Sequence, residues 1–210
     1  MEFQPWPSIS RLNKEAIYTE KIDGTNAAVV IEPYTTDTDK SKAVDVVSLD
    51  GDLYGVWAQS RKRFITPGDD NFGFALWVYE NAPALVRTLG VGRHFGEWWG
   101  SGIQGGYGLT GGERRFSLFN VKRWEFALSH TQPLTEIKEL YRVPVLLKDT
   151  FSTETAKQCV ELLRSKGSWA SPGFMKPEGV VVFHTASGTP YKTFLEGDLD
   201  GGKTWSHPTS

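Results

Sequence analysis

The chain has 210 residues, enough to bury a sizeable core within one domain. Its formal net charge of −2 supplies no global positive field for a polyanion, so any contact with nucleic acid must rest on local clusters: Arg61-Lys62-Arg63, Arg114-Arg115 or Lys122-Arg123. The single Cys159 excludes an intrachain disulfide and a Cys-rich zinc site, and no run approaches the roughly 18 apolar residues of a membrane span. The N-terminus lacks the charged-then-apolar pattern of a signal peptide, and together these features point to a soluble, cytoplasmic protein.

Residues 1–16, with two prolines, read as a segment packed against the domain edge. Residues 18–31 read as a strand–turn–strand unit around Lys21, and the polar stretch over 35–42 as an exposed loop. Residues 43–49 and 56–61 are β-prone and are separated by the turn signal Asp50-Gly51-Asp52. Phe72, Ala75, Leu76 and Tyr79 fall at helical spacing, with Asp70 or Asn71 to cap the start. Pro83 is expected to break or kink this helix, and a short second piece ends at Gly90.

Residues 93–99 read as a strand, 100–112 as a Gly-rich loop and 115–121 as another strand. A second helix is expected over 154–166, capped by Ser152 or Thr153, striped by Ala156, Val160 and Leu163, and ended by Gly167. Residues 178–184 and 191–195 complete a hairpin. Strands outnumber helices and do not alternate with them, which argues for α+β with antiparallel sheets.

The stretch Thr19-Glu20-Lys21-Ile22-Asp23-Gly24-Thr25-Asn26 sets a lysine between two carboxylates, ahead of the apolar run 27–31. A lysine attacks as a nucleophile only with its amine neutral, and a nearby glycine lets backbone approach a phosphate. Taken alone, so short a motif is more often a solvated turn. Four further features follow it in order: Ser60-Arg61, Phe95-Gly96-Glu97, Phe116-x-x-Phe119-Asn120, and Glu178-Gly179-Val180-Val181 with Lys192 beyond. Glu178 opens a strongly apolar strand, where a carboxylate needs a partner or a metal. Phe116 and Phe119 alternate imperfectly, so one of them belongs in the core. His94, His184 and Cys159 match nothing in the set and read as structural.

In this order the five features resemble the signature of the covalent nucleotidyltransferases, the polynucleotide ligases and mRNA capping enzymes, and within them the ATP-dependent RNA ligase family, over residues 18–195. The resemblance implies an α+β, antiparallel-sheet nucleotidyltransferase (ATP-grasp-like) domain with a nucleotide pocket between sheets. It implies one such domain over 1–210, with no OB-fold or sizeable C-terminal domain.

It implies ATP as cofactor, with AMP held covalently on Lys21, and Mg2+ or Mn2+ bound or oriented by Glu178. By the same carry-over Glu97 holds ribose hydroxyls, Phe119 stacks on adenine, and Arg61 lies along ribose or phosphate. Lys192 contacts the α-phosphate and helps keep Lys21 neutral. Glu20 reads the base edge, and Asn26 serves the sealing step. The implied activity is ligation of RNA 5′-phosphate to 3′-OH ends by a monomer. The alternatives are a ligase for nicked DNA or hybrid duplexes, and a self-adenylylating relative that seals little; a protein partner for substrate recruitment is left open.

Two departures bear on this. Phe194 stands where the family carries a second lysine in Lys-x-Lys, leaving one phosphate contact missing or supplied from elsewhere, for instance by Lys203. Asn120 stands where Asp is common.

Overall fold

Residues 15–33 form two strands, as their β-branched content demands, but the strands part at the turn between them. Gly24 sits in that turn, where a Cβ would come within 2.5 Å of Trp98 O and 2.7 Å of Trp99 Cβ, so no larger residue fits without a shift. The computed structural model describes residues 2–6, 8–35, 41–125 and 131–195. Most of the polar loop expected over 35–42, and Lys203, lie outside the described residues.

In chain order the elements are β1 (Glu15–Lys21), β2 (Thr25–Pro33), β3 (Asp45–Leu49), β4 (Asp52–Ser60), β5 (Phe64–Ile65), α1 (Phe74–Leu89), β6 (Gly92–Gly100), β7 (Arg114–Leu118), β8 (Leu140–Arg142), β9 (Val145–Thr150), α2 (Thr153–Lys166), β10 (Gly179–His184) and β11 (Thr189–Phe194). Four of the strands make one sheet in the order β11-β10-β1-β9; the rest make a second in the order β3-β4-β2-β6-β7-β8, with β5 beside β4. Every pairing is antiparallel except β7 with β8.

The α+β, antiparallel expectation holds. The unit around Lys21 is nevertheless not a hairpin: β1 and β2 enter different sheets, and Lys21 ends one of them at the junction.

Each sheet buries its outer face under a helix. Strand alternation sends Ala27, Val29, Ile31, Val56 and Ala58 against α1, and Ala16, Tyr18, Val180 and Val182 against α2. The inward stripe of α1 is Phe74, Val78, Ala82, Leu85 and Leu89, whereas Phe72, Leu76 and Tyr79 are about half exposed. Of the expected stripe only Ala75 is buried in the core, so the stripe was set largely on the wrong side of the helix.

Pro83 does not divide α1, which runs unbroken over 16 residues. Burying Leu85, Val86 and Leu89 beyond it is worth about 1.5–3 kcal/mol per side chain, which exceeds the roughly 3 kcal/mol that an interior proline costs. Asp70 caps the helix from outside, its carboxylate accepting from the backbone N–H of Ala75 (2.8 Å) and Leu76 (3.0 Å). Helix α2 is capped by Ser152, whose Oγ accepts from Thr155 N at 2.9 Å. Strand β7 ends at Leu118, earlier than expected, and β8 and β9 carry no sequence pattern that announced them. Phe3, Trp6, Ile9 and Leu12 near the N-terminus are exposed rather than packed.

Candidate active site

The two sheets face each other across a cavity of about 950 Å³, walled by Ile17, Thr19, Lys21 and Val181 from the smaller sheet and by Glu97 and Phe119 from the larger. Alternation explains the first set: in β1 Ile17, Thr19 and Lys21 face the cavity, while Ala16 and Tyr18 face α2.

Lys21 closes the β1–β10 ladder opposite Gly179. Its Nζ lies 2.5 Å from Oε2 of Glu178, the residue just before β10, and both side chains are about a quarter exposed. That oxygen is buried and takes no hydrogen bond besides this ionic contact. Across β10, Gly179 pairs with Phe194 and Val181 with Lys192, which brings Lys192 and Phe194 to the same face of the sheet as Lys21.

On the opposite wall Asn26 and Glu97 are direct partners of β2 and β6, and Asn26 Nδ2 donates to Glu97 Oε2 at 2.8 Å. Glu97 is 8 % exposed. Burial pushes its pKa up to about 7, with Glu178 adding to the rise and the Asn26 hydrogen bond and Lys21 opposing it. Phe116 is fully buried beside Phe74 and Trp77, while Phe119, just past the end of β7, is 43 % exposed on the cavity wall. The imperfect alternation is resolved by the strand ending between them.

Glu20 also reaches the cavity lining, but its carboxylate is 1 % exposed and engaged on the protein side, accepting from Tyr107 Oη (2.8 Å), Trp169 N (2.8 Å) and Ala170 N (3.0 Å). Burial pushes its pKa up, and hydrogen bonds from Ser168, Tyr107, Ala170 and Trp169 pull it back.

Arg61 stands exposed just beyond Ser60, the partner of Ala27 on β2, and does not line the cavity. Its neighbour Arg63 is held by Asp69 through two hydrogen bonds of 2.5 and 2.8 Å. His94 and His184 are bonded to main-chain oxygens, of Gly90 and Leu12 respectively, and Cys159 is buried under the smaller sheet. Sequence reasoning missed Tyr107, whose hydroxyl also lies 3.2 Å from Lys21 O. Its only sequence signal is a large aromatic inside a glycine-rich loop.

Two facing, mainly antiparallel sheets enclose the cavity, with a lysine–glutamate pair at one wall and an aromatic and a second carboxylate at the other, and the fold is nucleotidyltransferase-like. The RNA ligase family model matches residues 14–193, and the chain belongs to the RNA ligase family. Among solved structures it is similar to Naegleria gruberi RNA ligase. A mutant of that protein with ATP and Mn gives a TM-score of 0.55 at 15 % identity, covering 90 % of this chain and 52 % of that one. A mutant with AMP and Mn gives 0.55 at 16 % identity with the same coverages. An apo mutant gives 0.52 at 16 % identity, covering 90 % and 51 %. The chain therefore spans about half the length of these structures. No match was found among curated proteins.

Proposed function

We propose that this chain is an ATP-dependent RNA ligase that takes AMP onto Lys21 and joins RNA 5′-phosphate to 3′-OH ends. The observation that carries the reading is the Lys21–Glu178 pair, 2.5 Å apart, on the wall of a cavity that also holds Phe119 and Glu97. Family membership and the likeness to a ligase solved with ATP, AMP and Mn support it.

The chemistry follows from the placement. The Lys21 ammonium must lose a proton before its nitrogen can attack, and Glu178 Oε2 is within reach of that proton. The N–P bond to the α-phosphate forms as the P–O bond to pyrophosphate breaks. The adenylyl group then passes to an RNA 5′-phosphate, releasing Lys21, and a 3′-OH displaces AMP. Phe119 offers a face for the adenine, and the Glu97–Asn26 pair offers acceptors and a donor for the ribose or the incoming strand. Lys192 and Arg61 supply positive charge toward the phosphates from either rim.

Glu178 would hold a divalent cation once its carboxylate gives up the contact with Lys21, its buried Oε2 taking no other hydrogen bond. No cluster of three or more His, Cys, Asp or Glu side chains suited to a metal occurs among the described residues. The donor set thus fits Mg2+ or Mn2+ carried on the nucleotide, held by one or two carboxylates, phosphates and water. Such an ion supplies charge neutralisation at the phosphates.

No described helix is long and apolar enough to cross a membrane. We take the protein to act as a cytoplasmic monomer in RNA repair, with a protein partner as one route to substrate recruitment.

Incubation with α-labelled ATP and Mg2+ tests the reading: label should stay on the chain and vanish in Lys21→Ala and in Glu178→Ala. A wild-type chain that takes no label overturns it. Phe194 favours a second reading, a self-adenylylating relative with little sealing, and end-labelled RNA beside nicked DNA or hybrid duplexes separates the outcomes.

A further inference from the structure

The Gly-rich loop after β6 sends Ile103 and Tyr107 into the interior. Tyr107 is 3 % exposed and adopts φ 45°, ψ 41°, a left-handed conformation uncommon for any residue but glycine. Its ring meets Phe174 at 4.8 Å and the edge of Trp99 at 5.6 Å. The next residue must be small: a Cβ on Gly108 would come within 2.8 Å of Phe174 Cβ and of Ser171 Oγ. The loop is thus pressed against the segment that also supplies Trp169 N and Ala170 N to Glu20.

The Tyr107 hydroxyl ends among three residues. It donates to Glu20 Oε1 (2.8 Å), lies 3.2 Å from Lys21 O, and accepts from Glu178 N (3.3 Å). Lys21 and Gly179 form the last rung of the β1–β10 ladder, so Ile22 and Glu178 lack the backbone pairing that would follow. The phenol oxygen spans that gap. It joins the main chain of the nucleophile to the main chain of the carboxylate 2.5 Å from its amine, and Glu20 anchors it from behind.

We propose that Tyr107, anchored by Glu20, is a positioning residue that fixes the geometry of the Lys21–Glu178 pair for lysine adenylylation. Tyr107 itself is not among the residues that line the cavity. Its contribution therefore falls on the chemical step, which demands placement to a fraction of an ångström, and not on nucleotide affinity. The proposal rests on the reading of Lys21 as the AMP acceptor.

Single-turnover labelling of the full chain with α-labelled ATP and Mg2+ tests it in wild type, Tyr107→Phe, Glu20→Gln and the double variant. Tyr107→Phe keeps the ring and should lower the rate at saturating ATP about tenfold, the usual scale for groups that orient a reacting residue from behind, with half-saturating ATP unchanged. Glu20→Gln should act in the same direction, and the double variant should be no slower than the slower single one, because the two residues act as one unit. A wild-type rate in Tyr107→Phe, a loss that falls wholly on half-saturating ATP, or a double variant that multiplies the single losses would each overturn the positioning role. Near-UV circular dichroism reports folding; if Tyr107→Phe does not fold, a wild-type rate in Glu20→Gln alone overturns it. Absence of label on the wild-type chain would instead overturn the function on which the proposal stands.

Discussion

Phe194 stands beside Lys21, separated from it in the sheet by Gly179 alone, with its ring centroid 5.6 Å from Lys21 Nζ. The same ring lies 5.1 Å from Lys192 Nζ, so one aromatic group serves two ammonium groups. The family places a lysine at this position; here the site has a π face in its stead.

Phe194→Leu should speed labelling of Lys21 a few-fold, since an ammonium–ring contact of this kind favours the charged amine by about 0.5–1 kcal/mol at a partly exposed site and only the neutral amine attacks. Phe194→Lys restores a cation near the phosphates and should speed labelling beyond wild type. Single-turnover rates decide both. Equal rates in all three proteins would mean that the ring merely fills space.

Glu97 ties stability and nucleotide affinity to pH. Its pKa rises from 4.5 to about 7 on folding, so the folded chain binds this proton more tightly than the unfolded one. The contribution to stability is therefore complete below about pH 4.5 and is lost as pH rises to about 7, by an amount on the order of 3 kcal/mol. Urea unfolding across this range should show a steeper loss with pH in wild type than in Glu97→Gln. Acceptance of ribose hydroxyls favours the ionised form, so ATP should bind more tightly as pH passes through about 7 in wild type and not in the variant. Parallel pH dependences in the two proteins would rule out Glu97 as the group responsible.

Glu20→Ala should unfold the chain more readily, because it strands the N–H groups of Trp169 and Ala170 in the interior and removes the main acceptor of the Tyr107 hydroxyl. Each buried, unsatisfied group costs about 1–3 kcal/mol, so the midpoint of thermal unfolding should fall by many degrees. Glu20→Gln should leave discrimination between ATP and GTP in labelling unchanged. A lost preference for adenine would return Glu20 to the base-reading role.

Phe116 and Phe119 should separate cleanly. Phe116→Ala opens a cavity beside Phe74 and Trp77 and should cost about 3–5 kcal/mol in denaturant titration. Phe119→Ala, at a half-exposed position, should leave stability nearly unchanged and raise half-saturating ATP. The reverse pattern would move the adenine contact elsewhere.

What the sequence by itself determined was chemistry carried by local order: a lysine in a strand-ending turn, a carboxylate opening an apolar strand, two spaced phenylalanines, and antiparallel strands outnumbering helices. These were legible because strand alternation and turn chemistry act over a few residues. The expectation that Lys21, Glu97, Phe119 and Glu178 share one site came from the family resemblance those features carry in their order, and not from local order alone.

Only the tertiary structure decided which side of a strand each neighbour serves. Glu20 and Lys21 are adjacent in the chain and both reach the cavity lining, yet the Glu20 carboxylate is held by Tyr107, Trp169 and Ala170 while the Lys21 amine meets Glu178, and nothing in the sequence states which partners each takes. The same limit misplaced the stripe of α1, where packing against the larger sheet selected Phe74 and Val78 over Phe72 and Leu76. It also concealed Tyr107, whose role comes from contacts spanning 87 and 71 residues of chain. Contacts at that separation form only when distant elements pack together, and no local pattern records them.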